Sequence, residues 1–293
     1  MIAAGKDAGS TVILPAVNHL PLLLLCPEET SLKFIDTHCH YDFPPFEHHE
    51  AAELKRASQA GVEKIIVPAV SSARFSAVMA LAGRYQPLYA ALGLHPVWTE
   101  QHCDDDIDQL QQWLQQQPAK LVALGETGLD YFTPQLAAYS GQQISRLKAQ
   151  LSLAKRYDLP VILHSRRTHD LLAGLLRQAK LPASGVIHGF SGSLSQAMAF
   201  VKLGYRIGVG GTITYPRAAK TRNTIAALPL HALVLETDAP DMPLHGFQGQ
   251  PNRPEQIAAV WRVLTELRSE PAEQIAQTLW NNSLRLFPRL AAS

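Results

Sequence analysis

Two histidines one residue apart follow a short apolar run in the first part of the chain. The run extends from Phe34 to Thr37, and His38 and His40 follow it. An apolar run of this kind indicates a buried strand, and strand side chains alternate between faces, so both imidazoles should point the same way. Two imidazoles at one strand end can bind a single metal ion. An isolated pair is more often part of a polar loop, so its meaning depends on the rest of the chain.

Histidines and carboxylates follow several later apolar runs in the same manner. They are His95, Glu126, His164, His188, Glu236 and Asp238. Imidazole and carboxylate ligands suit divalent metals, and zinc, manganese and magnesium all remain open as the native ion. One tetrahedral ion needs only four ligands, fewer than the candidates present. We therefore expect one or two ions per chain, and two ions that share a bridging ligand would use the candidates most fully.

A repeating order of strands and helices positions these residues. From residue 34 onward, strand-like apolar runs alternate with amphipathic segments, which implies a parallel sheet with right-handed crossovers. The predicted strands are Phe34–Thr37, Lys64–Val67, Leu88–Leu92, Leu121–Leu124, Val161–Leu163, Val186–Ile187, Tyr205–Val209 and Leu233–Leu235. The predicted helices are Glu50–Ala60, Phe75–Tyr85, Ile107–Gln116, Gln142–Tyr157, Thr168–Ala179, Leu194–Leu203, Arg217–Ala227, Glu255–Leu267 and Ala272–Leu286.

Eight such units predict an α/β chain folded as a closed (β/α)8 barrel of the TIM type. In such barrels the active site lies at the carboxyl ends of the strands, which is where the histidines and carboxylates stand. An open doubly wound sheet is the alternative, but no Gly-x-Gly-x-x-Gly loop follows any predicted strand. The segment Pro240–Pro254 is rich in proline and glycine and is long enough to form a mobile lid.

Composition narrows the possible functions. Apolar residues make up 46% and charged residues 17% of the 293 residues, as in a globular protein with a large core, and no apolar run is long enough to predict a membrane span. A protein that coats long duplex nucleic acid usually has a large excess of basic residues, whereas the net charge here is only +1. Any contact with nucleic acid should therefore be confined to a small part of the surface. Three cysteines argue against a disulfide framework and favour a reducing compartment, the cytoplasm.

The first 33 residues differ from the rest of the chain. Pro15, Pro21 and Pro27 interrupt this stretch, and its early residues lack the basic start of a secretory signal. We interpret residues 1–33 as a weakly ordered N-terminal extension and residues 34–290 as the barrel domain. A misassigned start codon, or a lipoprotein or export signal, is the alternative interpretation of the extension.

Six short motifs coincide with the predicted strand ends. They are Phe-Ile-Asp-Thr-His-Cys-His at 34–40, Gly-Leu-His-Pro at 93–96, Gly-Glu-Thr-Gly-Leu-Asp-Tyr at 125–131, Leu-His-Ser-Arg at 163–166, His-Gly-Phe-Ser-Gly at 188–192 and Leu-Glu-Thr-Asp-Ala-Pro at 235–240. Together they resemble the TatD family of metal-dependent deoxyribonucleases in the amidohydrolase superfamily, and most of all its YjjV-type bacterial members. The resemblance covers residues 34–290 and implies a barrel with one or two metals that hydrolyses phosphodiester bonds in DNA.

The resemblance also implies a role for each ligand. By motif, the metal ligands would be His38, His40, Glu126, His164, His188 and Asp238. The first two histidines and Asp238 would hold one ion, the last two histidines the other, and Glu126 would bridge both. Asp238 would also manage the proton of the attacking water, so it and Glu126 are the expected catalytic residues. Gly189 replaces the cysteine that many relatives carry after the last histidine, a change that leaves the ligand intact.

Substrate contacts are less well defined by the sequence. His95 is not needed as a ligand by either ion. Its side chain could contact the scissile phosphate, or it could instead cap the turn that follows it. Arg166 follows His164 closely enough to bind a phosphate, although its place in the motif is more typical of a surface arginine. The other loop cations within reach of a phosphate are Arg167, Arg217 and Arg253. Glu236 is interpreted as a partner that orients an imidazole.

The sequence is compatible with three hypotheses for the function. The first is a metal-dependent nuclease acting on DNA ends or short single strands, because a narrow barrel mouth and few cations disfavour intact duplex. The second is a small-molecule hydrolase of amides, lactones or esters, since a metal-activated water also attacks carbonyl groups. The third, a non-catalytic binding or scaffold protein, fits poorly with a complete ligand set. The sequence implies neither a membrane nor a protein partner.

Overall fold

Eight parallel strands form one sheet in which each strand pairs with the next along the chain. The structure is a computed structural model that describes residues 32–291. The strands are β1 (Phe34–Asp36), β2 (Val62–Pro68), β3 (Leu88–Leu92), β4 (Leu121–Asp130), β5 (Val161–Arg166), β6 (Gly185–Ile187), β7 (Arg206–Val209) and β8 (Leu233–Leu235). The helices are α1 (Glu50–Gln59), α2 (Phe75–Arg84), α3 (Asp105–Gln116), α4 (Pro134–Ala138), α5 (Ser140–Arg156), α6 (His169–Ala179), α7 (Leu194–Lys202), α8 (Ala219–Ala227), α9 (Ile257–Leu267) and α10 (Ala272–Leu286).

The sheet closes into a barrel where β1 meets β8. The backbone N–H of Thr37 donates to the carbonyl oxygen of Leu235 at 3.0 Å, and the N–H of Asp238 donates to the carbonyl oxygen of His38 at 2.9 Å. These bonds lie at the carboxyl ends of the two strands, so they hold His38 and Asp238 side by side. The predicted (β/α)8 barrel of the TIM type is confirmed, and the open doubly wound sheet is excluded.

All the predicted strands and helices are present, with three main differences. β5 does not end at Leu163 but continues to Arg166. β4 does not end at Leu124 but continues to Asp130, and α4 was not predicted. The sequence after Leu124 contains two glycines and reads as a turn. Pairing with β5 nevertheless resumes at Thr127 after an irregularity in the register. At Gly128, which has φ +141°, a Cβ atom would collide with the carbonyl oxygen of His164, so a glycine is required for the two strands to meet.

The barrel core has two layers because strand residues alternate between faces. On β2, Ile65 and Val67 pack against the surrounding helices, whereas Ile66 faces the barrel interior. The interior cluster also contains Ile35, Tyr89, Ala91, Val122, Ala123, Ile162, Val186 and Val234. The chain segment at the end of α10 packs into this cluster through Leu286, Phe287 and Leu290. Phe287 is completely buried, and the guanidinium of Arg289 donates to the carbonyl oxygen of Leu121, the first residue of β4, at 2.8 Å. The C-terminal segment therefore fills the end of the barrel away from the strand ends that carry the histidines.

Most of the predicted N-terminal extension, residues 1–31, lies outside the described residues. Within residues 32–291, no helix is both long and apolar enough to cross a membrane. Leu32 packs against the hydrophobic core, and the N–H of Phe34 donates to the carbonyl oxygen of Gly61 at 2.8 Å. These first described residues therefore pack on the barrel, and the boundary between the extension and the barrel stays a prediction.

We propose that the barrel is a domain whose folding does not depend on residues 1–31. A protein that starts at Leu32 is expected to keep its activity and its free energy of unfolding to within about 0.5 kcal/mol. A protein that starts at Ile35 is the control, because it loses the buried Phe34 side chain, which should cost about 3 kcal/mol. Denaturant titration of both proteins measures the difference. Unfolding of the Leu32 protein would contradict the proposed boundary.

Candidate metal centre

Glu126 lies at the centre of a group of histidines at the carboxyl end of the barrel. Its side chain is buried. The Oε1 atom lies 2.8 Å from Nε2 of His95, 3.2 Å from Nδ1 of His164 and 2.7 Å from Nε2 of His188. These imidazoles come from the ends of β3, β5 and β6, so one carboxylate oxygen faces residues of three different strands.

The other oxygen of Glu126 faces a second group. Its Oε2 atom lies 3.2 Å from Nε2 of His38 and 3.4 Å from Nε2 of His40, and these two nitrogens are 3.2 Å apart. Oδ1 of Asp238 lies 3.4 Å and 3.7 Å from the same nitrogens. Two atoms that each bind one tetrahedral zinc ion at about 2.1 Å are separated by about 3.4 Å. The spacings of this group therefore suit a single ion.

The chemistry of these atoms also fits a cation. Oε2 of Glu126 is buried and has no hydrogen-bond partner among residues 32–291. An unpaired buried carboxylate oxygen costs free energy, and a cation would remove that cost. The sets of ligand atoms close enough to share an ion are His38–His40–Glu126, His38–His188–Asp238 and His95–Glu126–His164. All six ligands predicted from the sequence thus lie in one continuous cluster, together with His95.

The electrostatics of the cluster favour the metal-binding forms of Glu126 and His38 but not of every histidine. Burial alone would raise the pKa of Glu126, but the neighbouring histidines, His95 foremost, hold it well below its usual range. Burial, reinforced by the charge of His188, lowers the pKa of His38 well below its usual value. Near pH 7 the carboxylate is therefore ionised and this imidazole neutral, which are the forms that bind metal ions. Burial disfavours the charged forms of His40 and His188, yet the Glu126 carboxylate outweighs burial and raises their pKa to about 9 and about 10, so a metal ion would have to displace a proton from each of these two rings.

A family model described as TatD related DNase matches residues 35–288 of the chain. The chain belongs to the TatD family. It is 65% identical over 257 residues to the metal-dependent hydrolase YjjV of Escherichia coli, a match that covers 87% of this chain and 98% of that protein. It is 31% identical over 267 residues to a Homo sapiens protein named a deoxyribonuclease, with 87% and 95% of the two chains covered. Family membership identifies the chain as a metal-dependent hydrolase and confirms the resemblance inferred from its motifs.

Solved structures of TatD proteins share this fold. The crystal structure of Escherichia coli YjjV matches with a TM-score of 0.85 at 65% identity, covering 87% of this chain and 98% of that one. A TatD family hydrolase from Entamoeba histolytica matches with a TM-score of 0.75 at 21% identity, covering 87% and 98% of the two chains. The second match concerns the fold alone. Both structures agree with the closed barrel described above.

Asp36 positions the first histidine of this TatD chain, a role that the sequence did not suggest. It is fully buried at the end of β1. Its Oδ1 accepts the backbone N–H groups of His38 at 3.2 Å and Thr237 at 2.9 Å, and its Oδ2 accepts the Thr237 hydroxyl at 2.6 Å. One carboxylate therefore ties β1 to the segment after β8. The available signal was a charged residue inside an otherwise apolar strand.

Asp130 was also missed as a site residue, because the extension of β4 was not predicted. Its Oδ2 lies 2.8 Å from Nε2 of His164, and its Oδ1 accepts the backbone N–H of Phe132 at 2.8 Å. The imidazole of His164 is thereby oriented so that its other nitrogen, Nδ1, faces Glu126. A carboxylate that fixes one ring nitrogen in this way selects the tautomer of a metal-binding histidine.

His95 has one of the two roles that the sequence left open for it, the capping of a turn, and also contacts Glu126. Its Nδ1 accepts the backbone N–H of Val97 at 3.0 Å, which caps the turn Pro96–Gln101. Because Nδ1 accepts, the neutral ring carries its proton on Nε2 and donates it to Glu126. Burial lowers the pKa of His95 to about 4, so the ring is neutral near pH 7. It lines the cleft above the cluster, and its contact with a phosphate remains a prediction.

The loop cations predicted to reach a phosphate separate into two groups. Arg166 and Arg167 line the cleft that opens over the cluster. Arg253 is instead paired with the buried carboxylate of Glu53 at 2.5 Å, and Arg217 lies over the ring of Tyr215, outside the cleft lining. Arg253 is therefore engaged elsewhere, contrary to the sequence interpretation, whereas contact of Arg217 with a phosphate stays a prediction.

Glu236 acts on the backbone and not on an imidazole ring. It is fully buried, and its Oε1 accepts the backbone N–H of Gly189, the residue after His188. A Cβ atom at Gly208 would collide with its carboxylate, so a glycine there makes room for it. Glu236 thus fixes the backbone at the strand end that carries His188. The sequence had instead predicted that it orients an imidazole ring.

The cluster lies at the floor of a cleft of about 980 Å³. The segment Pro240–Pro254 forms part of the cleft rim through Pro240 and Met242. Asn252 fastens this segment, since its side-chain amide donates to the carbonyl oxygens of Thr237 at 2.8 Å and Met242 at 3.1 Å. The predicted lid is therefore anchored at its base, directly beside Asp238.

Exchange of Glu126 for glutamine is expected to remove at least one bound divalent ion per chain while leaving the metal-free barrel folded. The amide keeps the shape of the carboxylate but lacks its charge, and replacing a buried charge by a neutral isostere changes stability little. Ion content after equilibrium dialysis and thermal melting of the metal-free protein measure the two effects. Glu53→Gln is the control, since this buried carboxylate contacts Arg56 and Arg253 and should leave ion content unchanged. A loss of several kcal/mol in the metal-free protein would mark Glu126 as a structural residue.

Proposed function

We propose that this chain is a metal-dependent deoxyribonuclease that cleaves phosphodiester bonds at DNA ends or in short single strands. The observation that carries the proposal is the division of the Glu126 carboxylate, whose two oxygens face two separate groups of histidines. Membership of the TatD family and the name of the human relative support the choice of DNA as substrate.

Two groups of residues would hold the divalent ions. The first group is His38, His40 and Asp238, the second is His164 and His188, and Glu126 belongs to both. Zinc suits the imidazoles and manganese the mixed set, whereas magnesium, which prefers oxygen ligands, would be held mainly by the two carboxylates. When bound, the ions would lower the pKa of water from about 15.7 to about 7 and neutralise charge on the phosphoryl oxygens.

Asp238 is the residue best placed to accept a proton from the attacking water. Its carboxylate lines the cleft, with Oδ1 facing the Nε2 atoms of His38 and His40. Its backbone N–H is held by the carbonyl oxygen of His38, so the carboxylate has a fixed base. A positioned carboxylate of this kind contributes about 10²–10⁴-fold to a proton-transfer step.

His95 and Arg166 are the proposed substrate contacts. Both line the cleft beside the cluster. The neutral His95 ring has one N–H donor, at Nε2, which would turn from Glu126 to a phosphate oxygen once metal ions bind the carboxylate. The exposed Arg166 guanidinium supplies a positive charge. His95 would contact the scissile phosphate over Glu126, and Arg166 would contact the phosphate next to it.

The depth of the cluster supports ends and single strands as substrates. His38, Glu126 and His188 are all buried at the floor of the cleft. A phosphate in the middle of a rigid duplex cannot descend to them, whereas the phosphate of a frayed end or single strand can. The net charge of +1 also leaves few cations for duplex binding. Free thiols at Cys39 and Cys103 support a reducing compartment, and we propose the cytoplasm.

The test compares a linear single strand with a covalently closed circular duplex, each with added zinc, manganese or magnesium and across a salt series. We expect cleavage of the single strand only, complete loss of activity after chelation, and a shallow dependence of affinity on salt. A lactone and a carboxylic ester serve as negative substrates. Efficient cutting of the closed circle, a salt slope typical of about eight phosphate contacts, or activity without metal would contradict the proposal.

A further inference from the structure

Phe132 is an exposed aromatic residue on the wall of the cleft. It is 41% exposed and lines the same cleft as Glu126 and His164. Val97 and Met242, also exposed, share this wall. Exposed apolar surface of this kind is unfavourable in water unless something covers it. Neither metal binding nor phosphate chemistry needs it, so the cleft has an apolar surface that the proposed reaction does not yet explain.

Arg166 lies against the Phe132 ring and leaves its hydrogen-bond donors free. Its guanidinium carbon is 3.4 Å from the ring centroid. The contact follows from the fold, since Asp130 near the end of β4 pairs with Arg166 at the end of β5. Within residues 32–291, the guanidinium forms no hydrogen bond or ion pair. A guanidinium whose face is stacked can still bind a phosphate through its edge.

Asp130 holds this aromatic wall at a set distance from the metal cluster. As described above, its two oxygens contact Nε2 of His164 and the backbone N–H of Phe132. Its own backbone is bonded in both directions to the buried side chain of Gln143, at 2.9 Å and 3.1 Å. Arg167 also donates to the carbonyl oxygen of Phe132 at 3.2 Å. The ring is therefore pre-positioned next to a ligand, unlike an aromatic side chain on a free loop.

We propose that Phe132 and Arg166 form a nucleotide subsite, in which an unpaired base stacks on the ring while the guanidinium binds the phosphate beside the scissile one. The inference rests on the proposed nuclease function and names the residues that select unpaired strands. A base inside a duplex has both faces covered by its neighbours, so only an unstacked base can lie on the ring. The subsite replaces the missing basic surface, because stacking supplies affinity without phosphate charge.

The test uses two single-stranded oligonucleotides of equal length, one normal and one with abasic nucleotides that keep every phosphate. Binding is measured by fluorescence anisotropy of the full-length, metal-free protein in chelator, and cleavage is measured separately with added metal. Stacking on one aromatic residue corresponds to roughly a tenfold change in affinity. We expect Phe132→Leu to weaken binding of the normal strand about tenfold and binding of the abasic strand hardly at all, by the same factor at low and high salt.

Matched variants separate stacking from charge and from misfolding. Phe132→Tyr keeps an aromatic face and should restore binding. Phe247→Leu alters a phenylalanine of similar exposure, 40%, that lies outside the cleft lining, and should have no effect. Arg166→Ala should weaken both strands and reduce the salt slope by about one, because it removes a phosphate contact. Melting temperatures of all variants verify that the barrel is intact.

The outcomes distinguish this inference from the nuclease proposal. If Phe132→Leu weakens both strands equally, leaves both unchanged, or if the protein binds neither strand, the subsite is wrong. If the variant discriminates between the strands in chelator but no oligonucleotide is cut with any metal, the subsite stands and the nuclease proposal fails. If both strands are cut equally well by wild type and variant, the nuclease proposal stands and the subsite is wrong.

Discussion

Replacement of Asp238 by asparagine is expected to lower the turnover of a single-stranded oligonucleotide by about 10³-fold while leaving the barrel folded. The amide cannot accept the proton of the attacking water, and it removes one negative charge from the group around His38 and His40. Because the side chains have the same shape, the backbone bond from residue 238 to the carbonyl oxygen of His38 should persist. Turnover, ion content and melting temperature measure the three consequences separately.

The control for this prediction is Asp241→Asn, which alters an exposed carboxylate on the lining of the same cleft. It removes the same charge from the same pocket without touching the cluster, so its turnover should stay within about twofold of wild type if proton acceptance at residue 238 is the cause. A variant at position 238 that kept a tenth or more of the activity would show that another group accepts the proton. His38→Ala should also abolish activity, through loss of a ligand.

Replacement of Phe287 by alanine is expected to lower the free energy of unfolding by about 3–5 kcal/mol. The ring is completely buried among interior residues of the barrel, with Leu286 and Leu290 beside it. Its removal leaves a cavity at a point where strands from both halves of the sheet meet, and a closed barrel cannot collapse to fill it. Denaturant titration with an unchanged m-value measures the loss.

Phe247→Ala is the matched control for the barrel end, since this phenylalanine is 40% exposed. Its effect on unfolding should stay within about 0.5 kcal/mol. Activity per folded molecule should be unchanged in the Phe287 variant, because the ring and the metal cluster lie at opposite ends of the barrel. A small loss of stability at position 287 would indicate that the C-terminal segment is not part of the barrel core.

The histidines and carboxylates of the cluster around Glu126 could be predicted from the sequence because their placement depends on local patterns. A strand has a two-residue period, so His38 and His40 had to share a face whatever the rest of the chain does. Alternation of strands with helices then puts every strand end on the same side of the barrel. His164 and Glu126 could therefore be assigned to one site because each follows a predicted strand in the sequence. The ends of the strands were predicted less accurately. The glycines around Glu126 indicated a turn, although β4 continues to Asp130.

The partners of each side chain, in contrast, were decided only by the tertiary structure. The hydroxyl of Thr37 donates to the carbonyl oxygen of Leu235, 198 positions away, and no local pattern predicts that pair. The same closure gives Asp36 its contact with Thr237. Long side chains on loops are equally unpredictable, and so Arg253 was expected at a phosphate but pairs with Glu53.

The sequence by itself therefore determined the barrel, the family and the histidines and carboxylates that form the cluster around Glu126 in this protein. These follow from periodicity, residue type and the direction of parallel strands, which are properties of short segments. Only the tertiary structure decided that each oxygen of Glu126 faces its own group of histidines, and that Asp130 links His164 to the exposed ring of Phe132. Those relations depend on distances of about 3 Å between atoms of different strands, and closure of the barrel sets such distances.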